Sequence, residues 1–357
     1  MADQVIQKII ESAILAPSGE NCQPWRFEIF GQKISLFNCP ERDQSAYNWK
    51  QRASMVAHGA AIENMVIVAR QLGYALDIKL FPDLTNQPNL VATLETKIAE
   101  NDVKNPDPLH PYLEKRCTNR RPYDLSTSLS LSDKQELEMG NSEMTRITLI
   151  DEKNKIEELA VTASIGEKVL FENRRLHDFF FEHINWTKEE DEKKRAGFYI
   201  ETLELPPPAK AGFKLFKHWS ILNIANKVLS VSKIVAKENA KTYSASSVLG
   251  AISIVGKTSE DFIAVGRILE RVWLTATKLG LSFQPVTGVL WFHRRLEDGE
   301  ENWFSENHKH LIEKAYAKIA SIFSIKDNQI IAMMFRVGRS TPPSAKSLRF
   351  PLENFVE

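Results

Sequence analysis

Two glycine-bounded helical stretches of this chain can be laid over one another without a gap, and that echo constrains the fold more than any other feature. Gly59-Ala60-Ala61-Ile62-Glu63-Asn64-Met65-Val66-Ile67-Val68-Ala69-Arg70-Gln71-Leu72-Gly73 matches Gly266-Arg267-Ile268-Leu269-Glu270-Arg271-Val272-Trp273-Leu274-Thr275-Ala276-Thr277-Lys278-Leu279-Gly280. Both copies carry glycine at each end, glutamate at the fifth position, alanine at the eleventh and leucine before the final glycine. The repeat points to two related halves. A glycine opening a buried helix permits close backbone approach, as two symmetry-related helices crossing in a shared core require.

At 357 residues the chain is long enough for two such halves. Lys plus Arg equals Asp plus Glu, 46 of each, so no global field draws nucleic acid or an anionic membrane. Three cysteines, Cys22, Cys39 and Cys117, show no CxxC spacing and point to a reducing cytosol. The first residues lack the basic segment and apolar run of a secretory signal, and no run of eighteen apolar residues occurs. The expectation is a cytoplasmic protein with no nucleic-acid or membrane partner.

Two stretches carry chemistry. In Ala16–Phe27, Pro17, Gly19 and Pro24 punctuate a turn bearing Ser18, Asn21 and Gln23, between an amphipathic helix and an alternating strand. Such side chains on a rigid connection can hydrogen-bond a planar heterocycle, or simply satisfy the turn. In Arg116-Cys117-Thr118-Asn119-Arg120-Arg121, guanidiniums flank a hydroxyl, which suits a phosphate; the plain alternative is an exposed basic turn. A hairpin is expected from the alternation of Trp25, Phe27 and Ile29 and its resumption from Ile34 and Leu36 onward, about the turn Gly31-Gln32, with further strands at 76–80, 91–94, 147–150, 248–255 and 330–337. Long helices are expected at 51–72 and 260–279, and a charged helical stretch from 152 to 186. Residues 187–195 read as a solvated helix face. The segment 206–242 alternates lysines with apolar residues; a cover over a cavity or a packed helix fits it better than a membrane-surface helix. Residues 284–289 read as a loop, and 338–357 as an extended tail. His58 reads as a packed or capping residue; His293, His308 and His310 lack a metal-ligand pattern, and Cys22 lacks neighbours that would stabilise a thiolate.

Ala16–Phe27 resembles the APSxxNxQPWxF segment of the FMN-dependent nitroreductase family, and Arg116–Arg120 its RxSxR motif with Thr118 in the serine place. The repeated helix resembles the family's dimer-core helix, and Met334–Gly338 its closing strand. Here the loop precedes the arginines, an order similar to the fused, double-length (Acg-type) branch. The resemblance implies an α+β fold of two related halves, residues 1–115 and 116–357, forming an intrachain pseudo-dimer, with a lid at 206–242. It implies one FMN site: Arg116, Thr118 and Arg120 holding the phosphate and ribityl chain, Ser18, Asn21 and Gln23 reaching from the other half, and Arg336 or Arg339 neutralising the phosphate. The loop 284–289 would meet the ring, although Val286-Thr287-Gly288 departs from the branch's usual Gln–Glu pair. The implied activity passes hydride from NAD(P)H through FMN to a small electron-poor acceptor such as a nitro compound or quinone, with no catalytic side chain and no metal. A flavin-storage protein with a lidded site is the alternative. The chain would act as a monomer with its internal pseudo-dimer, or as a weak homodimer.

Overall fold

The structure, a computed structural model, describes residues 2–99 and 106–356. The first part of the chain forms α1 (Ala2–Ala13), β1 (Trp25–Phe30), β2 (Lys33–Asn38), α2 (Arg52–Gln71), β3 (Tyr74–Leu80) and β4 (Leu90–Ile98). There follow α3 (Leu131–Leu137) and β5 (Thr145–Ile150). Next come α4 (Lys153–Ala163), α5 (Ile165–Glu172), α6 (Arg174–Glu182), β6 (Ile184–Asn185), α7 (Lys188–Lys194), β7 (Phe198–Tyr199), α8 (Pro207–Phe216), α9 (Trp219–Leu229) and α10 (Val231–Ser244). The chain closes with β8 (Val248–Val255), α11 (Ser259–Lys278), β9 (Ser282–Pro285), α12 (Gly288–Glu297), α13 (Glu306–Ile322) and β10 (Gln329–Gly338).

The two four-stranded antiparallel sheets share one plan, β1-β2-β4-β3 in the first half and β5-β8-β10-β9 in the second. In each, a helix precedes two strands, a long buried helix follows, and two more strands complete the sheet. This is an α+β architecture of two related halves, the halves as expected from the repeat and the α+β class as the resemblance implied. The halves differ in what joins the strands. β1 and β2 meet through the turn Gly31-Gln32, whereas their counterparts β5 and β8 are separated by the whole insertion α4–α10. Likewise α12 and α13 lie between β9 and β10.

Alternation explains the hairpin. Trp25, Phe27, Ile34 and Leu36 are fully buried on one face, while Phe30 at the turn is exposed. α2 and α11 make the largest helix–helix contact among the described residues. Their glycines permit it: a Cβ on Gly59 would lie 2.1 Å from the Ile263 carbonyl oxygen, and one on Gly266 would lie 1.9 Å from that of Val56. The fifth-position glutamates of the repeat are buried beside this crossing. Glu63 accepts from Arg267 Nε and Arg271 Nη1 at 2.8 Å each, and Glu270 sits 3.1 Å from Arg116 Nε.

One apolar core runs through both halves, joining Ile9, Trp25, Ile62 and Met65 to Phe262, Leu269, Trp273 and Phe335. The ends also cross. Phe27 N donates to Phe355 O at 2.6 Å, so the tail adds to the first sheet, and Thr118 pairs in parallel with Phe283 at the edge of the second.

Three local readings change. The stretch 152–186 is three helices, broken at Ser164 and at Asn173, whose side chain caps α6 by accepting from Leu176 N. The segment 206–242 is also three helices, turning at Lys217-His218 and at Ser230, which has a φ of 52°. Residues read as a loop after Pro285 begin α12, because the apolar run Val289–Phe292 outweighs the turn signals before it.

Three outcomes follow. Gly266→Ala forces the crossing helices apart and lowers stability by about 3 kcal/mol in urea unfolding. Gly212→Ala on α8, whose Cβ meets nothing nearer than Phe216 at 3.9 Å, is neutral or stabilising by up to about 1 kcal/mol. His58 is fully buried and donates from Nε2 to Asn38 Oδ1 at 2.9 Å, and burial pushes its pKa down from 6.5 to about 3. The unfolded chain therefore takes up a proton that the folded chain refuses. Its contribution is complete above pH 6.5 and is lost progressively as pH falls toward about 3. His58→Gln flattens that limb of the urea-midpoint profile; an unchanged limb contradicts the assignment.

Candidate functional site

The opening loop is held in an unusual conformation. Glu20, Asn21 and Gln23 have φ of 44°, 55° and 52°. Non-glycine residues in this region cost on the order of 1–3 kcal/mol each and persist only where the surroundings impose them. Here the imposition is visible. Ser18 Oγ accepts from Gln23 N at 3.0 Å. Asn21 Nδ2 donates to the carbonyls of Arg195 (3.0 Å) and Leu348 (2.8 Å), and its Oδ1 accepts from Arg349 Nη1 at 2.5 Å. Gln23 Nε2 donates to Arg195 O at 2.8 Å, while Oε1 accepts from Phe350 N at 2.9 Å. The two amides thus fasten the loop to the insertion and to the C-terminal tail.

Across from this loop lies the arginine segment. Arg116 is nearly buried, with Nη2 donating to Leu15 O at 2.7 Å and its guanidinium 4.5 Å over the Trp273 ring. Arg120 donates from Nη1 to Thr202 O at 3.0 Å and lies 5.4 Å from the Phe198 ring. Burial, the largest effect, lowers its pKa, but a guanidinium stays charged at neutral pH.

Both stretches wall one cleft of about 150 Å³, whose lining includes Ser18, Asn21, Arg116, Thr118 and Arg120. The tail adds Lys346 and Arg349, and the insertion adds Phe198 and Thr202. Four cations face Glu114 at the rim and Glu270 beneath Arg116, so the cleft favours an anion.

Three expected residues lie elsewhere. Gln23 is fully buried and does not line the cleft. Arg336 is fully buried too, its donors engaged by Gln284 Oε1 (2.7 Å), Thr242 O (2.8 Å) and Arg121 O (2.7 Å), with Tyr123 4.0 Å beneath the guanidinium. It holds the last strand to the arginine segment. Arg339 is exposed, and its backbone pairs with Asp124. The loop 284–289 also stays away from the cleft, its Gly288 packing against Gly166 of α5 and Tyr47.

Sequence reasoning missed Lys346 and Arg349. The available signal was two basic residues on the proline-rich tail, some ten positions beyond those chosen. It also missed residues 195–202 of the insertion, for which the sequence offered no sign of contact with the loop.

Behind the loop is a second cavity of about 260 Å³, lined by Glu20, Cys22, Arg42 and His183 among others. Burial, with Asp43 as the next cause, raises the Glu20 pKa to about 8, so this carboxyl is largely protonated near neutrality. The same two causes push the Cys22 thiol well above its ordinary value, which leaves it a poor nucleophile. Among the described residues, no three His, Cys, Asp or Glu side chains are grouped to hold a metal, and no helix is long and apolar enough to cross a membrane.

No protein-family model matches the chain. It is 24% identical over 306 residues to "Uncharacterized protein MT1398" of Mycobacterium tuberculosis strain CDC 1551, across 81% of this chain and 40% of that protein. It is 26% identical over 120 residues to "Putative NAD(P)H nitroreductase Rv3131" of M. tuberculosis strain H37Rv, across 34% of each. With "Putative NAD(P)H nitroreductase acg" of the same strain it shares 23% over 177 residues, 50% of this chain and 53% of the relative. The chain thus spans about half or less of the curated relatives it matches. Solved structures similar to it include the FMN-dependent nitroreductase NfnB from Mycobacterium smegmatis in complex with NADPH, at a TM-score of 0.39 and 12% identity over 69% of this chain and 96% of that one. A nitroreductase with bound FMN from Bacteroides fragilis aligns at 0.36, with 12% identity and the same coverage. In sequence, the chain is similar to proteins named as NAD(P)H nitroreductases, the family that its loop and arginine motifs resemble.

Proposed function

We propose that the chain is an FMN-binding oxidoreductase that takes hydride from NAD(P)H and delivers it to a small electron-poor acceptor, such as a nitro compound or a quinone. One observation carries the reading: the Ser18–Asn21 loop of one half and the Arg116–Arg120 segment of the other converge on a single cationic cleft. The relatives named as NAD(P)H nitroreductases support it.

The donor set fits the phosphate end of FMN. Arg120 and Lys346 offer charge, Thr118 a short hydroxyl donor, and Arg116 and Arg349 a second rank of cations behind them. The cleft as a whole is small: its volume of about 150 Å³ is below the roughly 300 Å³ at which small-molecule sites begin, so admitting the whole flavin requires part of its wall, such as Phe198 and Thr202 of the insertion, to open. Bound FMN supplies hydride acceptance and release. The protein's part is to anchor the phosphate, orient the ring and exclude water, with Ser18 presenting its hydroxyl from the opposite half. Because both halves belong to one chain, the cleft is complete without a second copy. Three free cysteines fit a reducing, cytoplasmic setting.

Purified protein takes up FMN, and anaerobic NADPH bleaches the bound flavin; an unchanged spectrum favours storage over turnover. Arg120→Ala weakens FMN binding about 10- to 100-fold, the worth of one charge-assisted hydrogen bond, but leaves riboflavin binding unaltered. Equal losses for the two ligands, or no uptake of FMN, contradict the proposal. Asn21→Ala acts through the fold: it strips partners from Arg195 O, Leu348 O and Arg349, costs about 2 kcal/mol of stability, and makes the tail more sensitive to protease.

A further inference from the structure

The balanced total charge of the chain conceals a local excess. From Leu205 to Lys237 there are six lysines and no acidic residue. These residues build α8, α9 and the start of α10, and among the described residues Lys214, Lys217, Lys227, Lys233 and Lys237 are exposed and make no ion pair.

The same helices carry large apolar side chains facing water. Leu215 is 59% exposed, Ile224 63%, Val228 74%, Leu229 64% and Ile234 54%, with Ile221 at 41%. Ile221, Ile224 and Val228 stand at i, i+3 and i+7, so they share one face of α9. Single exposed apolar residues are ordinary, but six within twenty positions are not. Folding does not need them outward, because the helices are docked by other residues. Leu222, Val231 and Ala236 are buried, and Phe213 packs with Phe171 and Phe181 of the inner helices.

We propose that this face rests on an anionic phospholipid surface, with the apolar side chains entering the headgroup boundary and the lysines meeting the lipid charge. Among the described residues no helix is long and apolar enough to cross a bilayer, and surface contact requires none. A second copy is a poorer occupant, because a two-fold contact sets the same unpaired lysines against one another. The inference does not rest on the flavin reading.

The experiment is co-sedimentation of the full chain with phosphatidylcholine vesicles, with and without phosphatidylglycerol. The protein sediments with the anionic vesicles only, and added salt releases much of it. Ile224→Glu with Val228→Glu lowers partitioning by about tenfold or more, and Lys227→Glu with Lys233→Glu does so independently. All four positions are exposed, and an unchanged circular dichroism spectrum confirms folding. Failure to sediment with anionic vesicles at low salt overturns the proposal, as does undiminished binding by both variants. A dimer in light scattering that the isoleucine–valine pair of substitutions dissociates also overturns it, by assigning the face to a second copy.

Discussion

The contact of Gly59 with Gly266 is the constraint on which the molecule is built. With no Cβ on either, α2 and α11 cross at backbone distance, and each brings its fifth-position glutamate into the interior. A carboxylate there demands a partner, since an isolated buried charge is far too costly. Arg267 and Arg271 answer Glu63, and Arg116 answers Glu270. The second pairing has a functional consequence. It draws the start of the arginine segment under the first half, beside the carbonyl of Leu15, where the opening loop begins. The cleft is therefore a product of how the two halves cross, and of the charge that the crossing buries.

The opening loop depends on that arrangement in turn. Three positive-φ residues in six are a conformation the loop cannot keep alone. Asn21 and Gln23 hold it by bonding to Arg195 of the insertion and to residues 348–350 of the tail. Arg349 completes the lock, reaching the carbonyls of Ile14 and Ala16 as well as Asn21. The two chemistries of a turn amide, holding the backbone and shaping a binding site, are thus not rivals here. By fixing the backbone, the amides set where Ser18 faces the cleft. They also couple the loop to the insertion that walls the cleft.

Local pattern made much of this legible. The alternation of Trp25, Phe27 and Ile29 gave the hairpin, and the glycine-bounded repeat gave the crossing helices and the doubled architecture. The convergence of Ser18 and Asn21 with Arg116, Thr118 and Arg120 came from the family resemblance of the two motifs, since each stretch by itself also fits an ordinary turn. What could not be read depended on contacts distant in sequence. Arg336 looked like a free cation on a strand, yet it is spent on Gln284, Thr242 and Arg121. Lys346 and Arg349 sit in a tail whose course is set by pairing with β1, far away in the chain. The helices of the insertion were visible as helical spacing, but their breaks were not, because Asn173 caps α6 through a local bond to Leu176 N and Ser230 turns at a φ of 52°, and periodicity encodes neither.

A crystal structure of the protein loaded with FMN decides whether one cleft, completed by both halves of a single chain, holds the FMN phosphate as proposed. The phosphate is then found within hydrogen-bond reach of Arg120 and Thr118, with Lys346 on its other side and the wall at Phe198 and Thr202 displaced outward while Arg195 keeps its bonds to the loop. A phosphate bound elsewhere, or two FMN molecules per chain, contradicts the proposal.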